Sequence, residues 1–266
     1  SARDFGGANV VKAFEKEYQG QKVADVNKTY FTFDCEVPAN TIPYANNQQI
    51  IRTFAKKQGV RVFDVDAGIG SHVLIEQGLV LPGMTIVGTD SHLNIMGAVG
   101  AFGQGMGDTD ITFSMKTGRT WFDVPETIKL TIKGRLNSPV TAKDVTLAVV
   151  KHFGANGALG KVIEVYGDMI DALDLAGRIT LASMGTETGA IAIMIPPSEH
   201  ILHAFEKLSG KKPVPVYADD DAKYCEEQTL DLSNLEPMIS RPGHPEDVVT
   251  VNEVAGKHID SVFVGS

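Results

Sequence analysis

Apolar and polar positions along the chain alternate between two rhythms. Runs dense in β-branched and aromatic residues, "TYFTFDCEV" at 29–37, "VRVFDVDAG" at 60–68 and "MTIVGTDSH" at 84–92, predict buried strands. Between them "NTIPYANNQQIIRTFAKKQG" (40–59) carries helical spacing, with Asn40 or Thr41 as cap and Gly59 as stop. "GSHVLIEQGLVLPG" predicts a short helix, and the glycine run after residue 92 is expected to open another. Strand and helix in alternation predict a parallel sheet with helices on its faces.

The pattern changes at "WFDVPETIKLTIKGRLNSP" (121–139), two short alternating segments and a turn. A helix follows, with Thr141 as cap and Asp144 completing a capping box. "KVIEVYG" predicts a strand, and "RITLASMGTETGAIAIMI" (178–195) a helix of small residues ended by Pro196 and Pro197. "SEHILHAFEKLSG" is amphipathic, and 211–247, rich in Pro and Asp, reads as irregular surface. The expected organisation is one α/β unit over 1–134, a second over 135–240, and a linker with the first strand of an incomplete third over 241–266. That last strand is expected from about Asp260, and a chain stopping on it reads as a fragment.

The 266 residues are 43% hydrophobic and 21% charged, enough chain for a full core. A net charge of -9 without a basic tract argues against nucleic acid or an anionic membrane as partner. It leaves a small anionic substrate open, since a site needs only a few local cations. Cys35 and Cys225 form neither a disulfide framework nor a CxxC metal site, which favours a reducing, cytoplasmic setting. No apolar run approaches the roughly 20 residues that span a bilayer.

Candidate chemistry gathers at the predicted strand ends: Asp34, then Asp64 and Asp66, then Asp90, Ser91 and His92. In an open α/β sheet, ligands bind in the crevice outside those ends. His72 follows the second strand, so two imidazoles and several acids are expected at one edge. A histidine touching a carboxylate makes an acid/base pair, because the acid orients the ring and stabilises its charged form. Asp90 and His92 read equally well as caps of the next helix. Glycines 97, 100, 103, 105 and 107 fit neither a dinucleotide fingerprint nor a P-loop, and close packing explains them best. Glu187 lies among small residues, either as a buried acid needing a partner or on an exposed helix face. His152, His200, His203, His244 and His258 are expected to be structural or solvated.

The segments "RDFGG", "FDCEVPANTI", "GIGSHVLIEQGLVLPGMTIVGTDSH", "GAVGAFGQGMGDTDI", "TWFDVPETIKLTIKGRL", "TAKDV", "MGTETGA" and "VFVGS" run in order along the chain. Together they resemble the aconitase superfamily, and within it the large subunits of the 3-isopropylmalate dehydratase and homoaconitase type. The resemblance implies two three-layer α/β/α units with mainly parallel sheets, plus the first strand of a third. It implies a hydro-lyase that moves a hydroxyl between adjacent carbons of a malate-like acid. A [4Fe-4S] cluster with one open iron would take the hydroxyl, and a serine on a small swivelling subunit would act as base.

By the same resemblance, Asp34, His72, Asp90 and His92 are catalytic, and Cys35, Ser91 and Glu187 lie near substrate or cluster. Three departures stand out. Cys35 replaces the family's usual His, and Ser183 stands where some relatives carry Asn. The family's first cluster cysteine falls just beyond Ser266, so the chain is expected to supply half a site and no cluster ligand. The alternatives are a mononuclear metal hydratase using His72, Asp90, His92 and Glu187, or a non-catalytic scaffold.

Overall fold

The computed structural model describes residues 1–263. Strand β1 (Ala2–Arg3) leads into helix α1 (Asp4–Glu17), and β2 (Tyr30–Thr32) into α2 (Ile42–Gln58). Strand β3 (Arg61–Phe63) leads into α3 (Gly70–Glu76). All three strands are parallel, in the order β1-β2-β3. The α2 helix starts where its sequence says: Thr41 accepts from the Tyr44 amide, and Gly59 ends it in a left-handed turn at φ +81°. Helix α1 has no counterpart in the sequence reading. Its buried side is built largely from Gly and Ala, with Val10, Val11 and Phe14 as the large apolar residues, which gives a weak helical stripe.

Strand β4 (Thr85–Gly88) pairs in parallel with β5 (Phe102–Gly105). The other side of β4 meets β1: the Ser1 amino group donates to Val87 O at 2.7 Å, and the Arg3 amide to Thr89 Oγ1 at 3.0 Å. The strands therefore lie in the sequence β3-β2-β1-β4-β5. Connections turn outward on either side of β1 and β4, so a switch point falls between those two strands.

The glycine run does not open a helix directly. A 3-10 turn (Leu93–Val99) ends at Gly100 in the left-handed region, β5 follows, and α4 (Asp108–Thr117) begins only after Gly107. Packing decides this. A Cβ on Gly97 would sit 1.8 Å from Ile193 O, and one on Gly103 1.9 Å from Leu93 O. These glycines pack backbone on backbone, as the sequence reading expects.

Strand β6 (Thr127–Lys133), the tail of the expected 1–134 unit, is an inner strand of a second parallel sheet. Ile128, Leu130 and Ile132 point into the core and alternate with half-buried Thr127, Lys129 and Thr131. Next come α5 (Ala142–Phe153), β7 (Val162–Tyr166), α6 (Asp168–Asp171), α7 (Leu175–Ser183), β8 (Ala192–Met194), α8 (Glu199–Ser209) and β9 (Glu226–Asp231). The sheet order is β8-β7-β6-β9. The capping box of α5 forms, with Asp144 accepting from the Thr141 amide and hydroxyl.

Two expectations change here. The helix expected over 178–195 ends at Ser183, and β8 takes its last residues. Gly189, at φ +76°, turns the chain, and the apolar run after it satisfies its backbone against β7. The segment 211–247 holds β9 and also β10 (Met238–Ser240), which pairs antiparallel with β11 (Val248–Thr250). Strand β9 is an edge strand with only Gln228 and Leu230 half-buried, so it lacks an apolar signature. Residues 260–263 form no strand, and the rest of the strand expected from Asp260 lies outside the described residues.

Among the described residues, three cores hold this arrangement. One lies under β1 to β3, where Phe14, Phe31 and Phe54 meet edge to face. A second lies between α5 to α7 and the second sheet. The third joins the two halves: Phe63, Leu74, Leu93 and Met96 pack with Ala182 of α7 and Ile201 and Phe205 of α8. It carries the turn after α7 up to the strand ends of the first sheet.

Candidate active site

Site residues leave the carboxyl ends of β2 and β4, on either side of β1. Asp34 comes just beyond β2 and Asp90 just beyond β4; their side chains are 2% and 5% exposed. Two buried carboxylates so placed need a shared cation. Arg3, at the end of β1, is that cation: Nε donates to Asp34 Oδ1 at 2.8 Å and Nη1 to Asp90 Oδ1 at 3.0 Å. Desolvation pulls the guanidinium pKa down, but the charges of Asp90 and Asp34 and the Asp34 hydrogen bond outweigh it and leave it raised.

The second Asp34 oxygen accepts from the Gly70 amide at 2.5 Å, which fixes the first turn of α3. Gly70 admits no side chain, since its Cβ would lie 2.2 Å from Thr32 Oγ1. His72 sits two residues on. Its Nδ1 is buried without a hydrogen-bond partner, and among the described residues no hydrogen bond joins it to His92, Asp34 or Asp90.

At the β4 end, Asp90 Oδ1 also accepts from the His92 amide at 3.0 Å. Asp90 therefore caps its own turn and faces Arg3 at once. The His92 ring sits between Glu187, with Nε2 to Oε1 at 3.2 Å, and Ser91, with Nδ1 to Oγ at 3.1 Å. A carboxylate can only accept, so the network assigns the hydrogen to Nε2 and leaves Nδ1 to accept from Ser91 in the neutral ring. Gly105 supports this turn from behind: a Cβ there would lie 2.5 Å from Asp90 O and 3.1 Å from Ser91 Cα.

Glu187 lies on a 3-10 turn (Thr186–Thr188) after α7. Asn94 Nδ2 donates to Thr186 Oγ1 at 2.9 Å, and Thr186 Oγ1 to Ser91 O at 3.3 Å. This tether holds Glu187 beside a histidine 95 positions away. Glu187 Oε2 and Asn94 Oδ1 are buried without partners, like His72 Nδ1.

Sequence reading missed Arg3, Asn94 and Thr186. A polar Asn inside the apolar run "LNIMGAV" was a visible signal for one of them. Asp64 leaves the site: Arg52 holds it bidentately at 2.7 and 2.6 Å, keeping its pKa low, and Asp66 is exposed. The Ser183 hydroxyl donates back to Thr180 O within its own helix. His152 pairs with Gln228, and His200 with Leu173 O and Ser198. A hollow of about 300 Å³ lined by Met84, Phe102, Glu164, Met194 and Tyr217 contains none of the site residues.

Cys35 donates its thiol to Asp34 Oδ1 at 3.3 Å. Although the residue is exposed overall, desolvation around the sulfur pushes the thiol up to about 12; Arg3 opposes this and Asp34 adds to it. Asp4, Asp34 and Cys35 lie close enough to share an ion. Their donors are already in use, though: Asp4 accepts from the Asp34 and Cys35 amides and from Gln48, and Asp34 from Arg3. His72, Asp90, His92 and Glu187 are not gathered as a ligand set among the described residues.

Residues 2–262 match the aconitase family (aconitate hydratase), and the chain belongs to that family. It is 42% identical over 264 residues to the 3-isopropylmalate dehydratase large subunit 1 of Methanopyrus kandleri, covering 99% of this chain and 63% of that protein. It is 43% identical over 234 residues to the homoaconitase large subunit of Thermus thermophilus, covering 88% and 55%. Against the probable methanogen homoaconitase large subunit of Methanosarcina mazei it is 38% identical, covering 100% and 68%. The chain thus spans about 63% of the length of the dehydratase relatives it matches.

Proteins of this family generally carry a [4Fe-4S] cluster, and the name "large subunit" implies a small-subunit partner. The residues of this chain do not fit as cluster ligands. Its two cysteines are Cys35, whose thiol stays protonated beside Asp34, and Cys225, whose thiol donates to Thr127 O at the start of β6. No helix is long and apolar enough to cross a membrane among the described residues.

Proposed function

We propose that this chain forms the N-terminal part of the large subunit of an aconitase-type hydro-lyase. The enzyme moves a hydroxyl between adjacent carbons of a malate-like acid, and 3-isopropylmalate dehydratase and homoaconitase are the two chemistries its relatives name. One observation carries the reading: the His92–Glu187 pair, assembled from two halves of the chain next to the Asp34–Arg3–Asp90 cluster.

Departure of a hydroxyl needs a proton, and the His92 imidazole is the group in this pair suited to carry it. Glu187 orients the ring through Nε2, while Ser91 meets the other nitrogen. The His92 side chain is 46% exposed, so a substrate can reach it. Asp34 and Asp90 hold the turns that carry His72 and His92. A [4Fe-4S] cluster bound beside this site would offer a Lewis acid for that oxygen. In this reading its ligands lie in the length of the relatives that this chain does not span, and a small swivelling subunit brings the serine base. Free thiols at Cys35 and Cys225 accord with a reducing, cytoplasmic setting.

The test is reconstitution. The chain extended to the relatives' full length, joined by its small subunit and loaded with iron and sulfide, is expected to dehydrate 3-isopropylmalate or a homoaconitase substrate. A fully loaded complex that turns over neither overturns the proposal.

A further inference from the structure

We propose that Arg3 is the positioning residue of this site, a cationic clamp across the switch point that sets where both histidine-bearing turns stand. The inference rests on the hydro-lyase reading for its purpose, but its geometry stands on the chain alone. Arg3 is locked at both ends. Its amide donates to Thr89 Oγ1 at 3.0 Å, and its guanidinium uses two different nitrogens for two different acids, Nε for Asp34 and Nη1 for Asp90. The acids are almost wholly buried while Arg3 is 27% exposed, so the cation is the solvent-facing member of the cluster.

Each acid then passes its position on. Asp34 Oδ2 receives the Gly70 amide, two residues before His72, and Asp90 Oδ1 receives the His92 amide. Without a cation between them, two desolvated carboxylates would repel each other or take up protons, and both amides would lose their acceptors' geometry. Cys35 cannot substitute, because a thiol carries no positive charge; Asp4 next to it adds a further acid. Lysine would be a poor replacement, since a point charge cannot present two fixed N–H vectors to two acids.

The test has two arms. In the chain alone, amide exchange is followed by NMR in wild type, Arg3→Ala and Arg3→Lys. Exchange at Gly70 and His92 is expected to rise about tenfold or more in Arg3→Ala, and less in Arg3→Lys, while core amides such as Ile51 and Val149 hold their rates. Unchanged exchange at Gly70 and His92 overturns the clamp, and so does a uniform rise across the core. In the full two-subunit enzyme, Arg3→Ala is expected to lower kcat about 10- to 100-fold at nearly constant KM, with partial rescue by Arg3→Lys. A raised KM at constant kcat would make Arg3 a substrate-binding residue instead and sink the inference. If the wild-type enzyme turns over nothing, the hydro-lyase reading fails while the exchange arm still decides the clamp.

Discussion

At Cys35 a thiol touches a buried acid, and its chemistry follows from that contact. Held up at about 12, against a reference near 9, it stays protonated through neutral and mildly alkaline pH. Iodoacetamide labelling of Cys35 is therefore expected to be slow at pH 8 and still accelerating at pH 10, as read by peptide mass spectrometry. The linked stability has a definite sign. A raised folded pKa contributes fully below about 9 and is lost as pH climbs toward 12, so the melting temperature should fall over that window. His92 behaves differently because it is open to solvent. His92→Ala should leave the fold intact and lower kcat of the assembled enzyme by about 10² to 10⁴, the usual weight of a general acid or base. Both acids, both imidazoles and Glu187 are visible as residue types in the sequence. Arg3 is not, because its role is defined only by two carboxylates 31 and 87 positions away.

Among the elements, the strand–turn–strand unit around β4 and β5 shows why small residues crowd next to the Asp-Ser-His motif. Gly105→Ala should push the Asp90–Ser91 backbone outward and lower kcat more than stability, whereas Gly97→Ala meets Ile193 O and should cost at least about 1–3 kcal/mol in urea unfolding. Gly107→Ala is the control. Its nearest neighbour would be Asp110 Oδ2 at 3.5 Å, and the change should stay within about 1 kcal/mol. At α5, Asp144 caps Thr141 and also accepts the Met238 amide at 2.7 Å, which ties the helix to β10. Asp144→Ala is thus expected to cost more than Thr141→Ala, itself worth about 1 kcal/mol. The α5 cap was legible because its signal is local. The boundary between α7 and β8 was not, because small and β-branched residues suit either state until a neighbouring strand claims them.

Across the whole molecule, Arg178 shows how the halves are kept in register. Its guanidinium is fully buried and donates to the carbonyls of Leu173, Pro196 and Ile170 and to the Ser198 hydroxyl. It therefore joins α6 and α7 to the start of α8, whose Ile201 and Phe205 enter the core shared with β3 and the turn before β5. Arg178→Leu leaves several buried acceptors unpaired and should destabilise by about 2–4 kcal/mol. If the core shifts with it, the His92–Glu187 contact should loosen and kcat fall as well, which unfolding and rate measurements on one variant would reveal.

The sequence by itself determined the parallel α/β character, the α2 and α5 boundaries with their caps, the family, and the residue types at the strand ends. Those features rest on periodicity, capping and local motif, which need no distant partner. Tertiary structure alone decided which acids share a cation, that Asp64 is withdrawn to Arg52, and that Glu187 reaches His92 through a core common to both halves. Each of these depends on charges and packing surfaces in different elements: the β3-β2-β1-β4-β5 strand order sets Asp34 and Asp90 about Arg3, α2 carries Arg52 to Asp64, and the shared core brings Glu187 to His92.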